Sequence, residues 1–192
     1  MRTVLTRVRA SVVLGGMIAL ALAGCSAGQD GRTSPPPWPA PTDVAARVKA
    51  AGLSLLTAEG TALHTHQHLS LTVDGAPVVV PADIGIDEAA RRISAIHTHD
   101  PSGVLHVESP EVRTFRLGQA FTEWNVHLAE GQVGPYQDGQ DGRVVAVFVN
   151  GKRTEGDPRE IPLTEHEDIA VVVVREGRTP TAPPPFQWPS DL

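Results

Sequence analysis

The sequence predicts an α+β fold: a single domain with a mixed or antiparallel sheet, hairpins and one covering helix. Three observations predict it. Residues 62–73 alternate apolar and polar with a period of two, as a half-buried strand must. Asp74-Gly75 and Asn150-Gly151 are two-residue hairpin turns, each preceded by an apolar run. Leu117, Phe121 and Trp124 recur at i, i+4 and i+7, the stripe of one amphipathic helix. Strands, then one helix, then strands is the order of an α+β domain, and the closing section has the flavour of a β-grasp arrangement.

The first 24 residues read as a leader rather than as part of that domain. Met1 to Ala10 carries Arg2, Arg7 and Arg9 with no acid, and Ser11 to Ala23 is apolar but short and interrupted by glycine. That is a secretory signal, not a comfortable membrane span. It ends in Leu22-Ala23-Gly24-Cys25, which resembles the lipobox of bacterial lipoproteins. The resemblance implies cleavage before Cys25 and lipidation of its sulfur. The mature protein is then expected on the extracytoplasmic face of the cell membrane, held by a lipid anchor. Cys25 is the only cysteine, so neither an intramolecular disulfide nor a thiolate metal site can be built. Loss of three arginines from the 16 Lys+Arg leaves 13 against 22 Asp+Glu, about −9 with neutral histidine. So acidic a balance argues against nucleic acid or an anionic lipid surface as a partner.

Residues 25–41 follow as a Pro-rich tether ending Pro35-Pro36-Pro37-Trp38-Pro39-Ala40-Pro41, too poor in apolar surface to fold alone. The domain is expected over 42–178, with 179–192 a Pro-rich disordered tail that carries the aromatic residues Phe186 and Trp188. Thr42-Asp43 opens a helix by capping, Val44, Val48 and Ala51 form its stripe, and Gly52 stops it. The strand over 62–73 turns at Asp74-Gly75, and Val78-Val79-Val80 returns between Pro77 and Pro81, a sheet-edge signature. Asp87 to Arg92 reads as a short helical or loop segment. Leu117 to Val126 is the covering helix, Ala129 to Gly142 a Gly-rich surface loop, and Val144 to Val149 and Ile169 to Val174 are buried strands.

The chemistry lies in the histidines. Six of the eight form two tight groups, His64/His66/His68 and His97/His99/His106. On the first strand the three imidazoles share a face opposite Leu63, Leu69, Leu71 and Val73. In the second group Asp100-Pro101-Ser102-Gly103 has the residue order of a type I turn. Pairing Asp100 with Gly103 sets His97 opposite His106 and puts His97, His99, His106 and Glu108 on one face. A bulge at Gly103 would slip the pairing by one and separate them. The unslipped register sorts apolar from polar residues more cleanly. Imidazoles spaced by two on a strand can be aimed at one ion, each nitrogen within about 2.0–2.1 Å of zinc. Nitrogen ligation without sulfur suits Zn(II) or Cu(II). The expected ligands are therefore His64, His66, His68, His97, His99 and His106, with Asp100 and Glu108 orienting the rings from behind. His127 and His166 read as surface residues.

The spacing is not that of a cupin or a metallo-β-lactamase-like hydrolase, and neither a His-Glu-x-x-His helix nor a Gly-x-Ser-x-Gly elbow occurs. The chain does resemble a family of secreted or membrane-attached prokaryotic domains. These carry a His-x-His-x-His-Leu strand, an Ile-Gly-Ile segment, a His-Thr-His-Asp-x-Ser-Gly-x-x-His-x-Glu hairpin and a Thr-Phe-x-Leu-Gly-Gln helix start. Residues 64–69, 84–86, 97–108 and 114–119 match, and the likeness spans about 43–175. The resemblance implies a shared site and names no chemistry for it. The expected function is metal delivery, sequestration or sensing by a tethered lipoprotein, its protein partner unknown. A metal-dependent enzyme with an open three-histidine site and a metal-free cell-envelope interaction module are the alternatives.

Overall fold

The computed structural model describes residues 38–190 and Leu192. The leader, the lipobox with Cys25 and the tether up to residue 37 lie outside the described residues. Among the described residues no helix is long and apolar enough to cross a membrane.

Helix α1 (Val44–Ala50) buries Val44 and Val48 and stops at Gly52, as its stripe requires. Asp43 sits at its N-cap but makes no capping bond. The carboxylate turns to Arg47 Nε at 3.0 Å instead, which holds it below the usual carboxylate range. Strand β1 (Leu63–Val73) turns through Asp74 and Gly75, both at positive φ, into β2 (Ala76–Val78). The return strand thus begins two residues earlier than Val78 and takes Pro77 into the pairing, opposite Thr72. A two-residue turn leaves no slack for Ala76 to do otherwise, and the edge position tolerates the missing N–H.

Strands β3 (Ile86–Asp87) and β4 (Arg92–Ile93) form a minute hairpin where a short helix or loop is expected. The carboxylate of Asp87 accepts the N–H of Ala90 and closes its turn. Strands β5 (Ile96–His97) and β6 (Val104–Ser109) flank the Asp100–Gly103 turn. Helix α2 (Leu117–Trp124) buries Leu117, Ala120, Phe121 and Trp124 and ends at Asn125 in the left-handed conformation. The expected surface loop after it is a small meander, β7 (Leu128–Ala129), β8 (Gln132–Val133) and β9 (Tyr136–Gln137). Leu128 and Val133 are buried there, and those apolar anchors order the segment. Strand β10 (Arg143–Val149) turns at Asn150-Gly151 into β11 (Lys152–Thr154), and β12 (Glu167–Arg175) closes the chain's regular structure.

The main sheet runs β11-β10-β12-β1-β6-β5, with β2 also on β1. Only β1 and β12 pair in parallel, from Gln67↔Glu167 to Val73↔Val173. Taken without β3–β9, the order β2-β1-β12-β10-β11 around one helix is the β-grasp order, so the expected α+β domain with a mixed sheet is what forms. Its inner face carries Leu69, Leu71, Leu105, Val107, Ile169 and Val171, packed with α2 into one core. Trp38 docks on the far side of that helix. Its ring meets Trp124 edge-on at 5.9 Å, and its carbonyl accepts the Trp124 indole N–H at 2.8 Å.

The outer face of the sheet is apolar where β10 meets β12: Ala146, Phe148, Ala170 and Val172. Such surface needs cover, and the C-terminal segment supplies it, in place of the expected disordered tail. Ala182 packs on those residues, Phe186 stacks on His68 with ring centres 3.8 Å apart, and Trp188 stacks on His166 at 4.4 Å. The Phe186 N–H also donates to Asp168 at 2.9 Å.

Candidate metal centre

Strand register assembles the site. On β1 the inner positions are Leu63, Thr65, Gln67, Leu69, Leu71 and Val73, so His64, His66 and His68 emerge on the outer face. Pairing with β6 sets His66 directly opposite His106 and His64 opposite Glu108. Pairing of β6 with β5 sets His106 opposite His97. One row, His66–His106–His97, therefore crosses three strands, in the unslipped register. Two details hold that register. The Asp100 carboxylate accepts the Ser102 N–H at 2.8 Å, fastening the turn. Gly103 adopts φ +89°, and a Cβ there would meet the Leu69 carbonyl oxygen at 2.4 Å, so only glycine lets the turn close onto β1.

His99 lies beyond the ladder, because Thr98 pairs elsewhere. Its N–H donates to Ile84 O, and its hydroxyl donates to Pro81 O. The His99 ring swings back over the row to 4.6 Å from His106, with its Nε2 3.2 Å from His97 Nε2. The His64 and His66 Nε2 atoms are likewise 3.2 Å apart. Two nitrogens bound to one tetrahedral zinc at about 2.0–2.1 Å stand about 3.3 Å from each other. Both pairs are thus spaced as two ligands of one ion would be.

The tautomer of His97 is set from behind. Its Nδ1–H donates to the Ser94 carbonyl at 3.0 Å, which leaves the Nε2 lone pair facing the cluster. Ser94 is itself held, through its hydroxyl, by Glu123 of α2 at 2.5 Å. Glu123 is buried with one oxygen unpartnered, and desolvation raises its acid to about 8. It stays protonated at neutral pH. The covering helix thus reaches the site through one serine.

Carboxylates complete the cluster. Glu108 Oε1 is 3.2 Å from His64 Nε2 and 3.6 Å from His106 Nδ1. Glu59, from the loop before β1, stands 3.7 Å from His99 Nε2, with a carboxylate oxygen within 4.8 Å of that of Glu108. Gly60 makes this approach possible, since a Cβ on it would lie 2.0 Å from the Ser109 carbonyl carbon. Burial, then the neighbouring Glu59 charge, raises Glu108 above its ordinary value. Burial acts on the imidazoles in the opposite sense. It lowers His97 to about 3 and His106 to about 4, and it lowers His66 as well, helped for each by neighbouring imidazoles. His97 and His106 are neutral at pH 7, the form that ligates. His64 and His99 form the solvent-facing rim, with 56% and 45% of their side chains exposed.

The structure brings together His64, His66, His97, His99, His106 and Glu108, in groupings that can hold a metal ion. It does not bring His68 or Asp100 to them. His68 Nδ1 pairs with Asp168 at 2.8 Å under the Phe186 ring, because β12 and not β6 supplies its neighbour on that side. Asp100 is engaged by its own turn, and the Ser102 bonds hold it below the usual carboxylate range. Glu108 is closer than expected, among the ligand atoms rather than behind them. His127 and His166 are exposed. Glu59, Ser94 and Glu123 escaped the sequence reading. The single available signal was Gly60, a glycine next to an acid before a strand. Compared with protein-family models, curated proteins and solved structures, the chain shows no match.

Proposed function

We propose that this protein is a membrane-tethered, extracytoplasmic lipoprotein that binds Zn(II) or Cu(II) through His64, His66, His97, His99 and His106 with Glu108, in metal delivery, sequestration or sensing. The observation that carries the reading is the pair of 3.2 Å Nε2–Nε2 contacts inside one cluster of imidazoles and carboxylates. The donor set holds nitrogen and oxygen without sulfur, which favours these two ions over Cu(I). The anchor rests on the lipobox alone.

Metal content of untagged protein from its native envelope is the test. Inductively coupled plasma mass spectrometry should find zinc or copper at one equivalent or more in wild type, and almost none in His97→Ala/His99→Ala. Equal content in both would refute the reading. Cys25→Ser should shift the protein from the membrane to the soluble fraction.

A second reading is favoured by the exposed rim. His64, His99 and Glu59 leave one side of the cluster open to solvent, which suits a water-bearing catalytic ion as well as a hand-over site. Water exchange at a substituted Co(II) centre, followed by its visible spectrum on adding small anions, separates the two from a closed storage site.

A further inference from the structure

The seven side chains do not compose one coordination sphere. Ligand atoms within 4.8 Å of one another fall into three overlapping groupings: His64, His66, His106 and Glu108; His97, His99 and His106; Glu59, His97 and Glu108. One zinc ion with bonds of about 2.0–2.1 Å cannot take ligand atoms more than about 4.2 Å apart. The two tight nitrogen pairs, His64/His66 and His97/His99, stand in different groupings, and no grouping contains a member of both. What links them is His106, whose ring lies 4.8 Å from that of His66 and 4.6 Å from that of His99.

We propose that the centre holds two divalent transition-metal ions. One sits on His64, His66 and Glu108, the other on His97 and His99, with His106 between them and within reach of both and with Glu59 3.7 Å from His99. The inference rests on the metal-binding reading above. Two further observations support it. The buried His106 Nδ1 has no hydrogen-bond partner although it faces Glu108, a state that a neighbouring cation relieves. Glu59 and Glu108 each bring a carboxylate oxygen within 4.8 Å of His97 and of each other, and one stands beside each nitrogen pair, Glu108 at His64 and Glu59 at His99. A single ion leaves one nitrogen pair and one carboxylate of this arrangement unused.

The test uses the full chain in detergent, stripped with EDTA and titrated with Zn(II) alone. Native mass spectrometry should count two zinc ions per chain at saturation. His64→Asn/His66→Asn and His97→Asn/His99→Asn should each keep one, and His68→Ala should keep two. With Cu(II), the doubly loaded protein should show less than one unpaired spin per copper by electron paramagnetic resonance, as coupled neighbours do. Saturation of wild type at one zinc would overturn the two-ion proposal and leave the metal-binding reading standing; none would overturn both. Loss of both ions in a pair variant with a folded charge-state distribution would show one shared sphere and overturn the proposal. So would loss of one ion in His68→Ala, by placing the second ion elsewhere. Should a pair variant unfold, the wild-type count decides.

Discussion

His66 and His68 stand two residues apart on one strand and one face, yet their surroundings share nothing. His66 faces His106 across β6 and joins a cluster of five imidazoles and two carboxylates. His68 lies opposite Val104 on that side and Asp168 on the other, and Phe186 covers it. The first is held with its nitrogen toward other nitrogens, the second with its Nδ1 on a carboxylate. Identical residues at identical spacing acquire different chemistry because each strand position inherits its neighbours from two other strands.

The largest expected effect breaks that pair directly. His66→Ala should weaken Zn(II) binding by roughly 100-fold, about 2.7 kcal/mol, whereas His68→Ala should leave it within about twofold. Isothermal titration of the two variants side by side is the measurement. Comparable losses in both would mean that the ion sits toward β12, against the register argument.

Acid should sharpen the contrast next. His97 and His106 have folded values of about 3 and about 4, below the unfolded 6.5. Between those values the unfolded chain binds more protons, so their effect on stability is absent above about pH 6.5 and destabilising as pH falls toward 4 and then 3. The slope is at most about 1.4 kcal/mol per pH unit for each ring. Glu123 has the opposite sense. Its folded value of about 8 lies above the unfolded 4.5, so the stability it contributes is full below about pH 4.5 and is lost as pH rises through 8. Urea midpoints of EDTA-treated protein from pH 4 to 9 should therefore pass through a maximum. In Glu123→Gln the alkaline limb should flatten while the acid limb stays.

The smallest effect concerns the cover over His68. Phe186→Ala removes one stacked ring and its burial, worth about 1–2 kcal/mol, and should lower Tm by about 2–8 °C. Zinc affinity should not change. Calorimetry of the variant with and without Zn(II) checks both statements, and an altered affinity would tie the tail to the centre.

Legibility followed locality. The alternation of β1, both two-residue turns and the apolar stripe of α2 are short-range patterns, and each formed where its pattern stood. The meander over β7–β9 was illegible because only two buried apolar residues, Leu128 and Val133, order it, too few to make a periodic pattern. The tail's docking had a trace. Ile169-Ala170-Val171-Val172-Val173 is apolar without alternation, as a strand covered on both faces must be. One cover is the α2 core, and the other had to come from some remaining segment.

For the site, the amino-acid sequence by itself determined which imidazoles of β1 share a face, because the period is two, and it favoured the register that sets His97 opposite His106 over a slipped one; the fit of Gly103 against Leu69 holds that register. Only the tertiary structure decided that His66 joins that row, that His68 does not, and that Glu59, Ser94 and Glu123 take part. Those choices depend on which strand lies beside which, and on a loop that passes Ser109 within the space of a missing Cβ. Contacts between residues tens of positions apart arise from packing the whole sheet, and no local spacing encodes them.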